Sequence, residues 1–112
     1  MNLSLTIQNK VKYMITTKQR AYLRGLANKE NAIFQIGKGG ITDEIIKEID
    51  IVLEKRELIK VTVLETSFMT ARGACEAVCE AVGAEPVQCI GSKFVIYRRA
   101  KGKENRKIEL PK

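Results

Sequence analysis

Hydrophobic and polar positions along the 112-residue chain alternate between helical and extended periodicity, with glycines and threonines at most of the changeovers. Ala21, Leu23, Leu26 and Ala27 form a partial apolar stripe between a capping threonine (Thr16 or Thr17) and Asn28, which predicts a first helix. Ala32 to Ile36 is a short β-rich run ended by glycine, and reads as a buried strand. Thr42 is a good N-cap, and Asp43 and Glu44 fall in the first turn, where the helix dipole favours negative charge. Ile45, Ile46, Ile49, Val52 and Leu53 then follow at helical spacing, the clearest amphipathic helix in the chain.

Leu58 to Leu64 predicts a second strand with Ile59, Val61 and Val63 on one face. Leu58 and Leu64 make the other face partly apolar, as in a central strand covered on both sides. Thr66 or Ser67 opens a third helix, whose inner stripe is Ala71, Ala74, Cys75, Val78, Cys79 and Val82. Gly83 is placed to end it in a left-handed conformation. Val87 to Ile90 and Phe94 to Tyr97 are short strands joined by the hairpin-like turn Gly91-Ser92-Lys93. The order α-β-α-β-α-β-β implies a two-layer α/β domain with a four-stranded mixed sheet packed against helices, its crossovers right-handed. One domain over residues 14–99 is expected, preceded by an extension over 1–13 that is unstructured or a short edge strand. Met14 resembles a natural start. From Arg98 onward the apolar pattern stops, so residues 100–112 are expected to form a basic tail, mobile until it meets a partner.

Charge adds more through its placement than through the net value of +7. Residues 14–40 carry five Lys/Arg against one acidic residue, and residues 98–112 seven against two. Residues 41–57 reverse the balance, with six acids against three bases. Such segregation suits a polyanion touching one part of the surface. No apolar run is long enough to span a bilayer, and the alternating start is not a signal peptide. Three clustered cysteines, Cys75, Cys79 and Cys89, are not a secreted disulfide framework, so a reducing cytoplasm is the expected compartment.

Gly37-Lys38-Gly39-Gly40 joins a predicted strand to a predicted helix. Successive backbone N–H groups in such a turn form a concave anion site, and Lys38 adds a full charge at the tip. Spacing alone favours a tight turn whose glycines serve geometry only. A Walker loop is excluded because no Ser or Thr follows the lysine, and a dinucleotide fingerprint because Thr42 stands where its last glycine belongs. Lys18, Arg20 and Arg24 lie near one another on the first helix, Arg20 and Arg24 on one face. With Arg98 and Arg99 at the end of the last strand, these make the chain's three basic features.

Catalytic and metal chemistry find no support. Histidine is absent, Cys75 and Cys79 sit on a core stripe, and the glutamates show no paired-carboxylate spacing. No cofactor, metal or small-molecule substrate is expected, and an enzyme is not. Aromatics are few; Phe34, Phe94 and Tyr97 fall in strands, Tyr22 is the best exposed candidate, and the aromatic signature of an RRM is missing. Backbone-directed binding is therefore favoured over base stacking.

Five segments together resemble the CRM domain family (chloroplast RNA splicing and ribosome maturation), in its bacterial stand-alone YhbY-like form. They are Thr17-Lys18-Gln19-Arg20 with Leu23-Arg24-Gly25-Leu26-Ala27, Ile36-Gly37-Lys38-Gly39-Gly40-Ile41-Thr42, Glu57-Leu58-Ile59-Lys60-Val61, Val95-Ile96-Tyr97-Arg98 and the closing Arg106-Lys107-Ile108-Glu109-Leu110-Pro111. The resemblance covers residues 14–112. It implies the same α-β-α-β-α-β-β domain, RNA as partner, and a role on precursors of the large ribosomal subunit. It also implies RNA contact by Gly37, Lys38, Gly39 and Gly40, a loop likened to the backbone clamp of KH domains, and by Lys18, Arg20, Arg24 and Arg98. The alternative is a protein-interaction module on the ribosome that touches RNA only incidentally.

Overall fold

The computed structural model describes residues 15–112, and the expected extension over residues 1–13 lies outside them. Helix α1 (Thr17–Ala27) is opened by a capping box: the Thr16 hydroxyl accepts from the Gln19 amide, and the Gln19 side chain accepts from the Thr16 amide. Strand β1 (Ala32–Ile36) leads through the glycine turn to α2 (Asp43–Arg56), where Thr42 caps the Ile45 amide as its position predicts. Strand β2 (Leu58–Val63), α3 (Ala71–Val82), β3 (Glu85–Ile90) and β4 (Lys93–Tyr97) complete the order.

The sheet runs β1-β2-β4-β3, with β1 and β2 parallel and the other two pairings antiparallel. Period-two alternation on β2 and β4 divides the side chains between two cores. Ile59, Val61, Val63, Phe94 and Ile96 meet Ile49 and Leu53 of α2 and the Ala74–Val78–Val82 stripe of α3. On the opposite face Leu58, Val95 and Tyr97 meet Leu23 and Ala27 of α1. The expected α/β fold with its mixed sheet is thus present; α2, α3 and the sheet form the two main layers, and α1 covers part of the second face. Cys75 and Cys79 are buried in the first core, whereas Cys89 is exposed.

Two expectations are corrected. Helix α3 begins at Ala71, not near Thr66 or Ser67. Residues Glu65–Ser67 form a 3-10 turn, Phe68 then takes a left-handed φ of 59°, and Thr70 is the residue that caps α3 through the Gly73 amide. The C-terminal segment is not a mobile tail but is tied to the domain. The Glu57 carboxylate, fully buried, accepts from the amides of Ala100 (2.7 Å), Lys107 (2.8 Å) and Ile108 (2.9 Å). Glu54 accepts from the Lys101 and Gly102 amides and the Asn105 side chain. Ile108 and Leu110 pack on the α1 core, and the Gln19 side-chain Nε2 donates to Pro111 O. Charge density alone concealed this docking.

Candidate nucleic-acid interface

Parallel pairing of β1 and β2 brings the connections that follow them to the same end of the sheet, and the β3–β4 turn joins them there. Leu64 N–H donates to Ile36 O (2.9 Å), and Val63 N–H donates to Ser92 O (2.6 Å). Three loops therefore meet at this end: residues 37–42, 64–70 and 91–92. In open sheets with parallel strands, the carboxyl ends of those strands are where ligands are usually held.

The glycine turn is closed by Gly40 N–H donating to Gly37 O at 2.8 Å, with Lys38 and Gly39 at its exposed tip. The Lys38 and Gly39 amides meet no acceptor among the described residues. Asp43 and Glu44 already answer the positive end of α2, so the donors open to an anion are those of the tip together with the Lys38 ammonium. Only Gly40, at φ 69°, needs glycine for its backbone conformation. A Cβ at Gly39 would make ordinary contact with Thr42 Cγ2 at 3.7 Å, so the fold leaves that position open for another reason or none.

The other predicted residues lie elsewhere. Helix α1 crosses the opposite end of the sheet: Ile15 N–H donates to Glu85, and Arg20 Nε donates to Pro86 O (3.1 Å) at the start of β3. Lys18 is exposed at that end, Arg24 half-buried, and Arg99 exposed beyond β4. From Leu58 to Val63 the strand spans roughly 17 Å at the usual rise per residue, so loop and helix are not one compact patch. Arg98 is withdrawn from any surface role. It is 9 % exposed, its guanidinium donates to Asp50 Oδ1, Asp50 O and Val82 O, and it ties α2 to the end of α3. Removing Arg98 from the candidate contacts follows from that burial.

Between loop and helix lie several residues that no sequence motif marks. Gln35, Thr62, Lys93 and Ile90 stand in register across all four strands. Lys93 precedes the inward Phe94, so this row faces the α1 side, beyond the reach of α1. Gln35, Lys93 and Ile90 are exposed and Thr62 is half-buried. Lys60, one step down β2 on the same face, is half-buried. Lys93 and Lys60 thus put two cations on this face, between the end of the sheet that holds Lys38 and the end that holds Lys18. Alternation alone could have placed Lys60 and Thr62 on the second face; nothing in it shows that α1 stops short. Among the described residues, no group of three or more Cys, Asp or Glu is arranged to hold a metal, and no helix is long and apolar enough to cross a membrane.

The CRS1 / YhbY (CRM) domain matches residues 15–98. The chain is 44% identical over 98 residues to the Probable RNA-binding protein YqeI of Bacillus subtilis, covering 88% of this chain and 100% of that one. It is 36% identical to an RNA-binding protein of Haemophilus influenzae, covering 88% of this chain and 96% of the relative. Among solved structures, it is similar to SAV1595 from Staphylococcus aureus, with a TM-score of 0.68 and 49% identity over 88% of this chain and 100% of that one.

Proposed function

The chain belongs to the CRS1 / YhbY (CRM) domain family, and from that premise we propose that it binds RNA through the sugar–phosphate backbone. In this reading the Lys38 and Gly39 amides and the Lys38 ammonium hold a phosphate, and Lys93, Lys60, Lys18 and Arg24 receive the strand as it continues over the sheet. Arg20 and Arg99 lie at the far end of that track, Arg20 partly committed to Pro86. The observation that carries it is the closed glycine turn with its open amides at the exposed tip, at the end of the sheet where three loops meet. YqeI and the Haemophilus protein are both named for RNA binding, which supports the same partner.

The target we propose is ribosomal RNA on an immature large subunit, in keeping with the resemblance carried by the motifs. Backbone contacts of this kind read shape rather than sequence. Affinity for large-subunit RNA fragments should fall steeply with salt, and Lys38→Glu should weaken binding to every fragment and flatten the log–log slope by about 1. Unchanged affinity in that variant would remove the loop from the mechanism. Association with ribosomal particles that survives ribonuclease treatment would instead favour a protein partner.

A further inference from the structure

Phe68 stands where the hydrophobic effect would not put it. Its residue is 95 % exposed, the most exposed large apolar residue of the described chain, in the loop that runs beside the glycine turn. Its backbone lies at φ 59°, a left-handed conformation that bulky side chains rarely take. The loop is nevertheless well tied. Phe68 N–H donates to Glu65 O (3.0 Å), Ser67 Oγ donates to Leu64 O (2.8 Å), and Met69 N–H donates to Ser67 Oγ (3.1 Å). Thr70 then caps α3, and Met69 packs on the core. The ring is held outward by a fixed turn between two anchored ends.

The turn also touches the candidate phosphate site. A Cβ at Gly37 would lie 3.5 Å from Leu64 Cδ1 and 3.7 Å from Thr66 Oγ1. Phe68 is two residues beyond Thr66, at most about 7 Å from Cα to Cα. Its neighbours Glu65, Thr66, Ser67 and Thr70 are polar, so the loop that presents the ring is itself a mostly polar segment. Lys38 and Lys93 supply positive charge at the same end. A phenyl face offers no hydrogen bond, only a π surface, and every nucleobase can stack on one.

We propose that Phe68 is a stacking platform for the base of an unpaired nucleotide whose backbone is held at the Gly37–Gly40 turn. The inference rests on the phosphate-binding reading of that turn and adds a substrate class to it: single-stranded, bulged or looped RNA rather than a regular duplex, whose bases are stacked on each other. Selectivity among the four bases is weak, because stacking is sequence-tolerant.

The chain contains no tryptophan, so Phe68→Trp installs a unique fluorophore at this position. Titrating F68W with a single-stranded decauridylate or decaadenylate should quench the indole, and a blunt duplex of matched length should not. Phe68→Ala, in a residue this exposed, should leave thermal unfolding unchanged. It should weaken single-strand binding about 5- to 150-fold with the salt slope retained, whereas Lys38→Glu should lower the slope. An F68A protein that binds single strands within two-fold of the original overturns the proposal; if Lys38→Glu still weakens binding, the phosphate-loop reading survives. An indole that stays unquenched at saturating single strand, or an equal loss on duplex and single strand, overturns it too. If neither variant alters binding, both readings fall.

Discussion

Replacing Glu57 with Gln tests whether the C-terminal segment is part of the folded domain. The native carboxylate accepts three backbone amides, Ala100 on one oxygen and Lys107 and Ile108 on the other, within a fully buried residue. A glutamine keeps only one oxygen. If it serves Lys107 and Ile108, its NH2 group faces the Ala100 amide, donor against donor, and a buried N–H is left unsatisfied. That mismatch costs about 1–3 kcal/mol, and the remaining bonds lose their charge assistance. Hydrogen bonds sharing one group are not additive, so we expect a net loss of about 3 kcal/mol, or roughly 12 °C in Tm for a domain of this length. Urea unfolding gives the free energy, and amide hydrogen exchange at Ala100, Lys107 and Ile108 locates it. Glu57→Gly separates the backbone contribution, because Glu57 sits at φ 68° and glycine relieves that strain while losing the carboxylate. A loss below about 1 kcal/mol, with unaltered exchange at the three amides, would refute the clamp.

The same clamp should loosen in acid. The Gly102 and Lys101 amides, with Asn105, hold Glu54 down to about 2 from the ordinary 4.5. Burial pushes the Glu57 carboxyl up, but the Ala100, Lys107 and Ile108 amides outweigh it and leave it below the usual value. Depressed folded values mean stabilisation that is complete above about pH 4.5 and lost as pH falls towards 2, so the segment's amide resonances should lose protection in that window while the β2–β4 amides hold. Gly40→Ala should cost about 1 kcal/mol in thermal unfolding because of its positive φ, whereas Gly39→Ala should leave stability unchanged and reduce RNA affinity by crowding the turn tip. Arg98→Ala should destabilise by about 1–3 kcal/mol, since it leaves the Val82 carbonyl without its donor inside the fold, while Asp50 is exposed enough to stay hydrated. Per folded molecule, its RNA affinity should match the original.

Local chemistry was the legible part of the fold. Thr42 with Asp43 and Glu44, the left-handed Gly83 and the two-faced Leu58–Val63 strand each announce themselves within a few residues. The start of α3 was not legible because Thr66, Ser67 and Thr70 offer the same capping oxygen, and only the turn at Phe68 decides among them. The docked C-terminus depends on acceptors more than forty residues away, Glu54 and Glu57, with no local trace. Its Ile108 and Leu110 alternate as a covered strip should, but the surrounding lysines and arginines draw attention to charge instead. Arg98 shows the same limit from the other side: a cation beside other cations reads as surface until Asp50 and Val82 are seen around it. Phe68 carried no pattern at all. A lone phenylalanine among polar residues gives no periodicity by which to judge its exposure.

Whether RNA backbone is held at the glycine turn can be read by following backbone amide resonances while a large-subunit RNA fragment is added. The largest shifts are expected at Lys38, Gly39 and Gly40, with smaller ones at Lys60 and Lys93 and none at Arg98. In Lys38→Glu these shifts should need a markedly higher RNA concentration. Saturable binding that leaves residues 37–40 unmoved and shifts only α1 and the C-terminal segment would contradict it.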